Sequence, residues 1–329
     1  MNISDIVNIT DGLLIGAPKV QAVESASVYP SKIEHGDLFF SSSQDEIDSA
    51  INNGAYAIVY DNEEIVKNDN EIAWIKVSDI RLAAMKLVRY VLLKKEADFY
   101  LLDPHELSFL KMLAADKRNI TIISSDWKKA FEQIVNSSDH LFVGDDIELL
   151  TTIKPDVLKL EEKKEIQLIS ETMFRCSLKI DGYVYQNYEI APFHIAYLSK
   201  VLHFLDKHNI RYDIEKLKYT KHFLPVFIDN QLQALPSGKS DKVVIFADNL
   251  KDIYSAKEYI KYRIRWIRSI ILTPRKTKLD LDENPIWFDD IDDVHNSLKK
   301  LIYNYAFVYS LDKSILPELQ QKYNLFNMH

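Results

Sequence analysis

From residue 30 to residue 60 the chain reads PSKIEHGDLFFSSSQDEIDSAINNGAYAIVY, and no other stretch restricts the fold as strongly. Gly36 can take a positive φ that a β-carbon resists, so residues 33–37 predict a turn, and Leu38-Phe39-Phe40 leaves it as a short apolar strand. Residues 44–53 predict a helix. Ser43 or Asp45 can cap it, Ile47, Ala50 and Ile51 recur at helical spacing, and Gly54 stops it. Residues 55–60 are a second buried strand, so the unit predicts two parallel strands joined by a right-handed crossover.

Glycine is otherwise scarce. Seven in 329 residues, against an average near 7%, leave no cluster able to cradle phosphate. The hydrophobic fraction of 47% fills real cores, and the length suits two or three domains. The net charge of −8, with basic and acidic residues dispersed, supplies no field for nucleic acid. The one basic stretch with aromatics, residues 257–268, predicts a solvated helix face with its Tyr, Ile and Trp buried. The single cysteine, Cys176, excludes an intramolecular disulfide and predicts a buried, inert thiol. No signal-peptide pattern opens the sequence and no apolar run approaches the about 18 residues of a membrane span, so a cytoplasmic protein without membrane insertion is expected.

Gly36-Asp37-Leu38-Phe39, a helix ending in Ala50-Ile51, and Gly54-Ala55 before a strand together resemble the amino-terminal domain of the Mur ligases. So do the helix, turn and strand of residues 3–16 and the strand-to-helix passage from Trp74 to Asp79. These ATP-dependent enzymes add amino acids to UDP-N-acetylmuramoyl peptides in bacterial peptidoglycan synthesis. The resemblance implies an α/β, three-domain architecture: an amino-terminal domain over 1–95, with a boundary at Lys94-Lys95-Glu96, a reduced central domain over 96–222 and a Rossmann-like domain over 223–329. Helices are expected over 80–93, with an apolar stripe of Leu82, Met85, Val88, Val91 and Leu92, and over 106–115, 195–208, 253–265 and 294–305. Asp181-Gly182 predicts a hairpin turn between strands 174–180 and 183–190.

In the family, a strand, a glycine-rich loop ending in Gly-Lys-Thr and a helix bind ATP. Here strand 119–123 runs into Ser124-Ser125-Asp126-Trp127-Lys128-Lys129-Ala130. Neither glycine is present, Trp127 stands where the backbone must approach phosphate, and Ala130 replaces the metal-binding hydroxyl; Lys128 and Lys129 are the only remnant. The family's Asp-Ser-Arg uridine triplet corresponds to Tyr29-Pro30-Ser31, leaving Ser27, Ser31, Gly36 and Asp37 as candidate substrate contacts. His194 alone matches the family's Gly-x-His-Asn corner. No pair among His194, His203, His208 and His222 has helical zinc spacing with a supporting acid, so no metal is expected.

The expected function is a non-catalytic relative in cell-wall metabolism that binds a partner protein or a UDP-N-acetylmuramoyl peptide and needs no cofactor. One alternative is a divergent active ligase, using ATP and magnesium through Lys128 or Lys129 with Glu161, Glu162, Asp248 or Asp290. Another is an α/β interaction module with no link to the wall.

Overall fold

The strand–helix–strand unit forms as its sequence dictates: Leu38–Phe40 pairs in parallel with Ala57–Tyr60, and the helix Gln44–Asn52 connects them. The computed structural model describes residues 1–93, 95–116, 118–264, 266–275, 277 and 285–317. Lys94 of the expected boundary and Arg265, at the expected end of a helix, lie outside the described residues. Two compact units result: Met1–Asp103 with Ala115–Glu161, and Pro104–Ala114 with Glu162–His329. The helix Pro104–Leu113 groups with the carboxy-terminal residues.

The first unit holds two sheets. In one, the order is Leu13–Ile15, Ala73–Lys76, Ala57–Tyr60, Leu38–Phe40, Ala26–Ser27, with only the first strand antiparallel. The other is a small, wholly parallel sheet in the order Thr121–Ile122, Leu141–Gly144, Asp98–Leu101, Leu158–Lys159. The core beneath them joins Phe40, Val59 and Ile75 to Phe99, Phe131 and Phe142. Gly54 takes φ +104, and a β-carbon there would stand 3.0 Å from the His35 Cα, so this position needs glycine.

The second unit contains the expected hairpin, Cys176–Ile180 against Tyr183–Tyr188, turning through Asp181 and Gly182 at φ +52 and +86. Gln167–Glu171 adds a third strand. A six-stranded sheet follows: Ala234–Leu235, Phe223–Ile228, Val243–Ala247, Tyr305–Tyr309, Ser269–Pro274, Ile286–Phe288. Its last four strands are mutually parallel, with the helices Leu250–Arg263 and Ile291–Lys300 in the connections, which is the Rossmann-like pattern. Pro225 is tolerated in Phe223–Ile228 because Ala234–Leu235 pairs only with Phe227 and Ile228.

Several local expectations are corrected. Ser43 holds the N-cap position of Gln44–Asn52 without a side-chain capping bond. In the helix Ile80–Leu92 the buried face runs through Ile80, Ala84, Leu87 and Val88, while Leu82 is 44% exposed. The helix expected over 294–305 is Ile291–Lys300, started early by the Asp290 carboxylate accepting from the Asp293 N–H, and Tyr305 belongs to a strand. Tyr262 and Trp266 are exposed. Ala256 and Ile260 mark the inner face of their helix, Tyr262 falls about 200° from Ile260, and Trp266 lies beyond the helix end at Arg263. Among the described residues no helix is long and apolar enough to cross a membrane.

Candidate functional site

Three chain-distant segments of the second unit bring titratable side chains to one buried point. His105 is the second residue of Pro104–Leu113; His194 ends the short 3-10 turn Pro192–His194; Asp252 lies in the first turn of Leu250–Arg263. Their side chains are 2%, 4% and 3% exposed. His105 Nε2 lies 2.6 Å from Asp252 Oδ2 and His194 Nε2 lies 3.0 Å from Oδ1. An ionised carboxylate only accepts, so each imidazole donates from Nε2. Asn249, which caps the helix by accepting the Asp252 N–H, also donates its side-chain amide to Asp252 Oδ2 at 2.6 Å. On the far side of the His105 ring, Thr220 Oγ1 stands 2.8 Å from Nδ1. Burial alone would raise the Asp252 carboxyl, but the hydrogen bonds from the two histidines outweigh it and hold the group well below the ordinary carboxylate range.

A second imidazole–carboxylate pair adjoins it. His222 Nδ1 bonds Asp248 Oδ2, and the rings of His105 and His222 are 5.5 Å apart. Burial opposes ionisation of Asp248, yet the His222 bond lowers its carboxyl. Nearby, Lys200 Nζ reaches the buried Glu106 at 3.1 Å, and Lys251 Nζ bonds the Tyr197 hydroxyl at 2.6 Å.

His105 and Asp252 were invisible as partners in the sequence, because nothing in local spacing links positions 105, 194 and 252. Of the other candidate histidines, His222 packs beside His105 and His203 meets Glu162 at 2.9 Å. Of the acids considered for magnesium, Asp248 is engaged by His222, Asp290 caps a helix through the Asp293 N–H, and Glu161 is exposed.

The first unit carries the remaining predicted residues, and they do not converge. Ser27 Oγ donates to the buried Glu132 at 2.5 Å, and Glu132 also accepts from the Val28 N–H, Lys32 and Asn136, each at 3.0 Å. Ser31 is exposed in the 3-10 turn Pro30–Lys32. Asp37 closes the Gly36 turn, its Oδ2 accepting from the Glu34 N–H at 2.9 Å. Lys129 is exposed. Lys128 enters a cleft of about 290 Å3 beside Trp127, Glu46 and the hydroxyl-rich Ser41-Ser42-Ser43, with Glu46 3.4 Å from its Nζ.

Three backbone donors of the loop that leads into Trp127–Val135 are bonded within the loop and its helix. The Ser124 N–H goes to Gln133 at 2.9 Å, the Asp126 N–H to Ser124 Oγ at 3.2 Å, and the Lys129 N–H to Asp126 Oδ1 at 3.0 Å. Asp126 thus places its own carboxylate on the helix N-terminus. The strand before this loop, Thr121–Ile122, is at the sheet edge. Strand order reverses instead at Asp98–Leu101, the first of these four strands in sequence yet internal in the sheet, and the crevice beyond such a reversal is where α/β sheets hold ligands. There the chain continues Leu102-Asp103-Pro104: no glycine, the Leu102 N–H bound to the Gly144 carbonyl at 2.8 Å, and a proline without an N–H as first helical residue.

No protein-family model matches the chain, and no curated protein does. Solved structures do. The MurF ligase from Thermotoga maritima in complex with ADP aligns with a TM-score of 0.52 and 12% identity, over 89% of this chain and 95% of that one. MurF from Acinetobacter baumannii aligns at 0.49 and 11%, over 95% and 86%. The UDP-N-acetylmuramoylalanyl-D-glutamyl-2,6-diaminopimelate–D-alanyl-D-alanyl ligase of the same organism aligns at 0.49 and 10%, over 96% of each chain. Only the first passes half in TM-score, and at that identity it establishes the fold and nothing finer. The chain is a divergent one, and its fold is that of the Mur ligases.

Proposed function

We propose that this protein is a non-ligating member of cytoplasmic cell-wall metabolism that binds a UDP-N-acetylmuramoyl peptide without forming an acyl phosphate from ATP. The observation that carries this reading is the chemistry of the two strand-to-helix turns where a triphosphate could sit. Amide formation through an acyl phosphate needs closely spaced free N–H donors and cationic support for the transferring group. At Ser124–Lys129 the N–H groups of Ser124, Asp126 and Lys129 are already bonded and the Asp126 carboxylate occupies the helix terminus; after the strand Asp98–Leu101 the Leu102 N–H is bonded to the Gly144 carbonyl and no glycine follows. Neither set of residues fits a magnesium-bound triphosphate, so no step is routed through one. A precursor is favoured over a protein partner by the first-unit cleft, where a hydroxyl-rich ligand would take over Lys128 from Glu46, 3.4 Å away, and the hydroxyls of Ser41 and Ser42 from the Glu46 and Asp61 carboxylates to which they donate.

Purified protein supplied with Mg-ATP, a UDP-N-acetylmuramoyl peptide and amino acids should release no phosphate above a boiled control. Phosphate release that requires both ATP and the precursor refutes the reading. Lys128→Ala should weaken precursor binding in calorimetry by about tenfold, the scale of one charge-assisted contact. Unchanged affinity would remove the cleft from the account.

A further inference from the structure

We infer that His105, His194 and Asp252 form a site for a zinc-class transition metal, independent of whether the first unit binds a cell-wall precursor. Two imidazole nitrogens and one carboxylate are the donor types zinc takes in sites that keep a fourth position for water. One ligand atom from each residue lies within 4.8 Å of the others, and all three residues are buried. Tetrahedral coordination at about 2.1 Å separates ligand atoms by about 3.4 Å. His105 Nε2 meets Oδ2 at 2.6 Å and His194 Nε2 meets the other carboxylate oxygen, Oδ1, at 3.0 Å, so a metal among the three residues needs each of these contacts to widen by less than 1 Å as the Asp252 carboxylate turns.

The surroundings are those of a ligated centre. A metal on His105 Nε2 requires the proton on Nδ1, and Thr220 Oγ1 stands 2.8 Å from that atom. A hydroxyl both donates and accepts, so it turns to take the Nδ1–H and fixes the tautomer, the role outer partners play around ligating histidines. Each imidazole stays neutral in this change, exchanging its Nε2 proton for one on Nδ1. The Asn249 amide, 2.6 Å from Asp252 Oδ2, holds the carboxylate in the same way. Three titratable groups from separate parts of the chain are costly to bury for packing alone, since apolar side chains of similar volume fill such a space at no desolvation cost.

The test uses untagged full-length protein, stripped with a chelator and titrated with Zn2+ by calorimetry and with Co2+ by visible absorption. One equivalent of Zn2+ should bind, the melting midpoint should rise with free Zn2+, and Co2+ should give the intense visible bands of a four-coordinate site. His194→Gln, with folding checked by circular dichroism, should cut Zn2+ affinity at least tenfold; His203→Ala, a half-buried control paired with Glu162, should not. Failure of the wild-type protein to bind one equivalent overturns the proposal without reference to any variant. So does binding that His194→Gln leaves intact.

Discussion

Ser27, a candidate substrate contact in the sequence, donates instead to Glu132, which is a structural hub. It is buried and collects hydrogen bonds from Ser27, Val28, Lys32 and Asn136. Glu132→Ala should destabilise the protein by about 3 kcal/mol, because four donors lose one acceptor. Ser27→Ala should cost about 1–2 kcal/mol and leave precursor affinity unchanged, measured by urea unfolding and calorimetry together. Loss of affinity without loss of stability would return Ser27 to the binding site. Cys176, read from sequence as an inert buried thiol, is buried, and that burial, with the Glu171 charge second, pushes its thiol up to about 12. Iodoacetamide at pH 8 should leave it unmodified in native protein and modify it in urea. The raised value leaves stability unchanged below the unfolded thiol's about 8.5, where both states hold the proton, and costs stability as pH rises from there toward about 12, because only the unfolded thiol ionises.

Elements were legible where a local rule settles them. Gly36 and Gly54 announced the first crossover, and Asp181-Gly182 announced its hairpin. Gly54→Ala should cost more than 1 kcal/mol in urea unfolding, since φ +104 and the His35 backbone at 3.0 Å both oppose a β-carbon. Asp126→Ala should cost about 1 kcal/mol by removing the helix cap, and a neutral result would deny that the carboxylate seals that helix terminus. Element ends were less readable. Nothing in the residues from Val294 to Tyr305 says that the helix stops at Lys300, because the strand beginning at Tyr305 is fixed by pairing with Val243 and Ser269. The exposed Tyr262 and Trp266 failed for related reasons: aromatic residues suggest burial, but helix phase decides it for Tyr262, and Trp266 lies past the helix end at Arg263.

At the scale of the whole molecule, the alternation of strands and helices carried the α/β class and the Mur-ligase resemblance, which the structural comparison supports as a fold. The sites were far less legible. A phosphate loop sought by its position after a strand was placed at Ser124, whereas strand order, which only pairing reveals, reverses at Asp98–Leu101. The His105–His194–Asp252 centre likewise exists only once three segments 58 to 89 residues apart are folded together. The most direct test of the central claim is a thermal titration of the full chain with Mg-ATP and, separately, with a UDP-N-acetylmuramoyl peptide. A ligand at 100 times its Kd stabilises the folded state by about 2.7 kcal/mol, a shift of several degrees. A rise with the precursor and none with Mg-ATP is the predicted result; a rise with Mg-ATP would contradict the account.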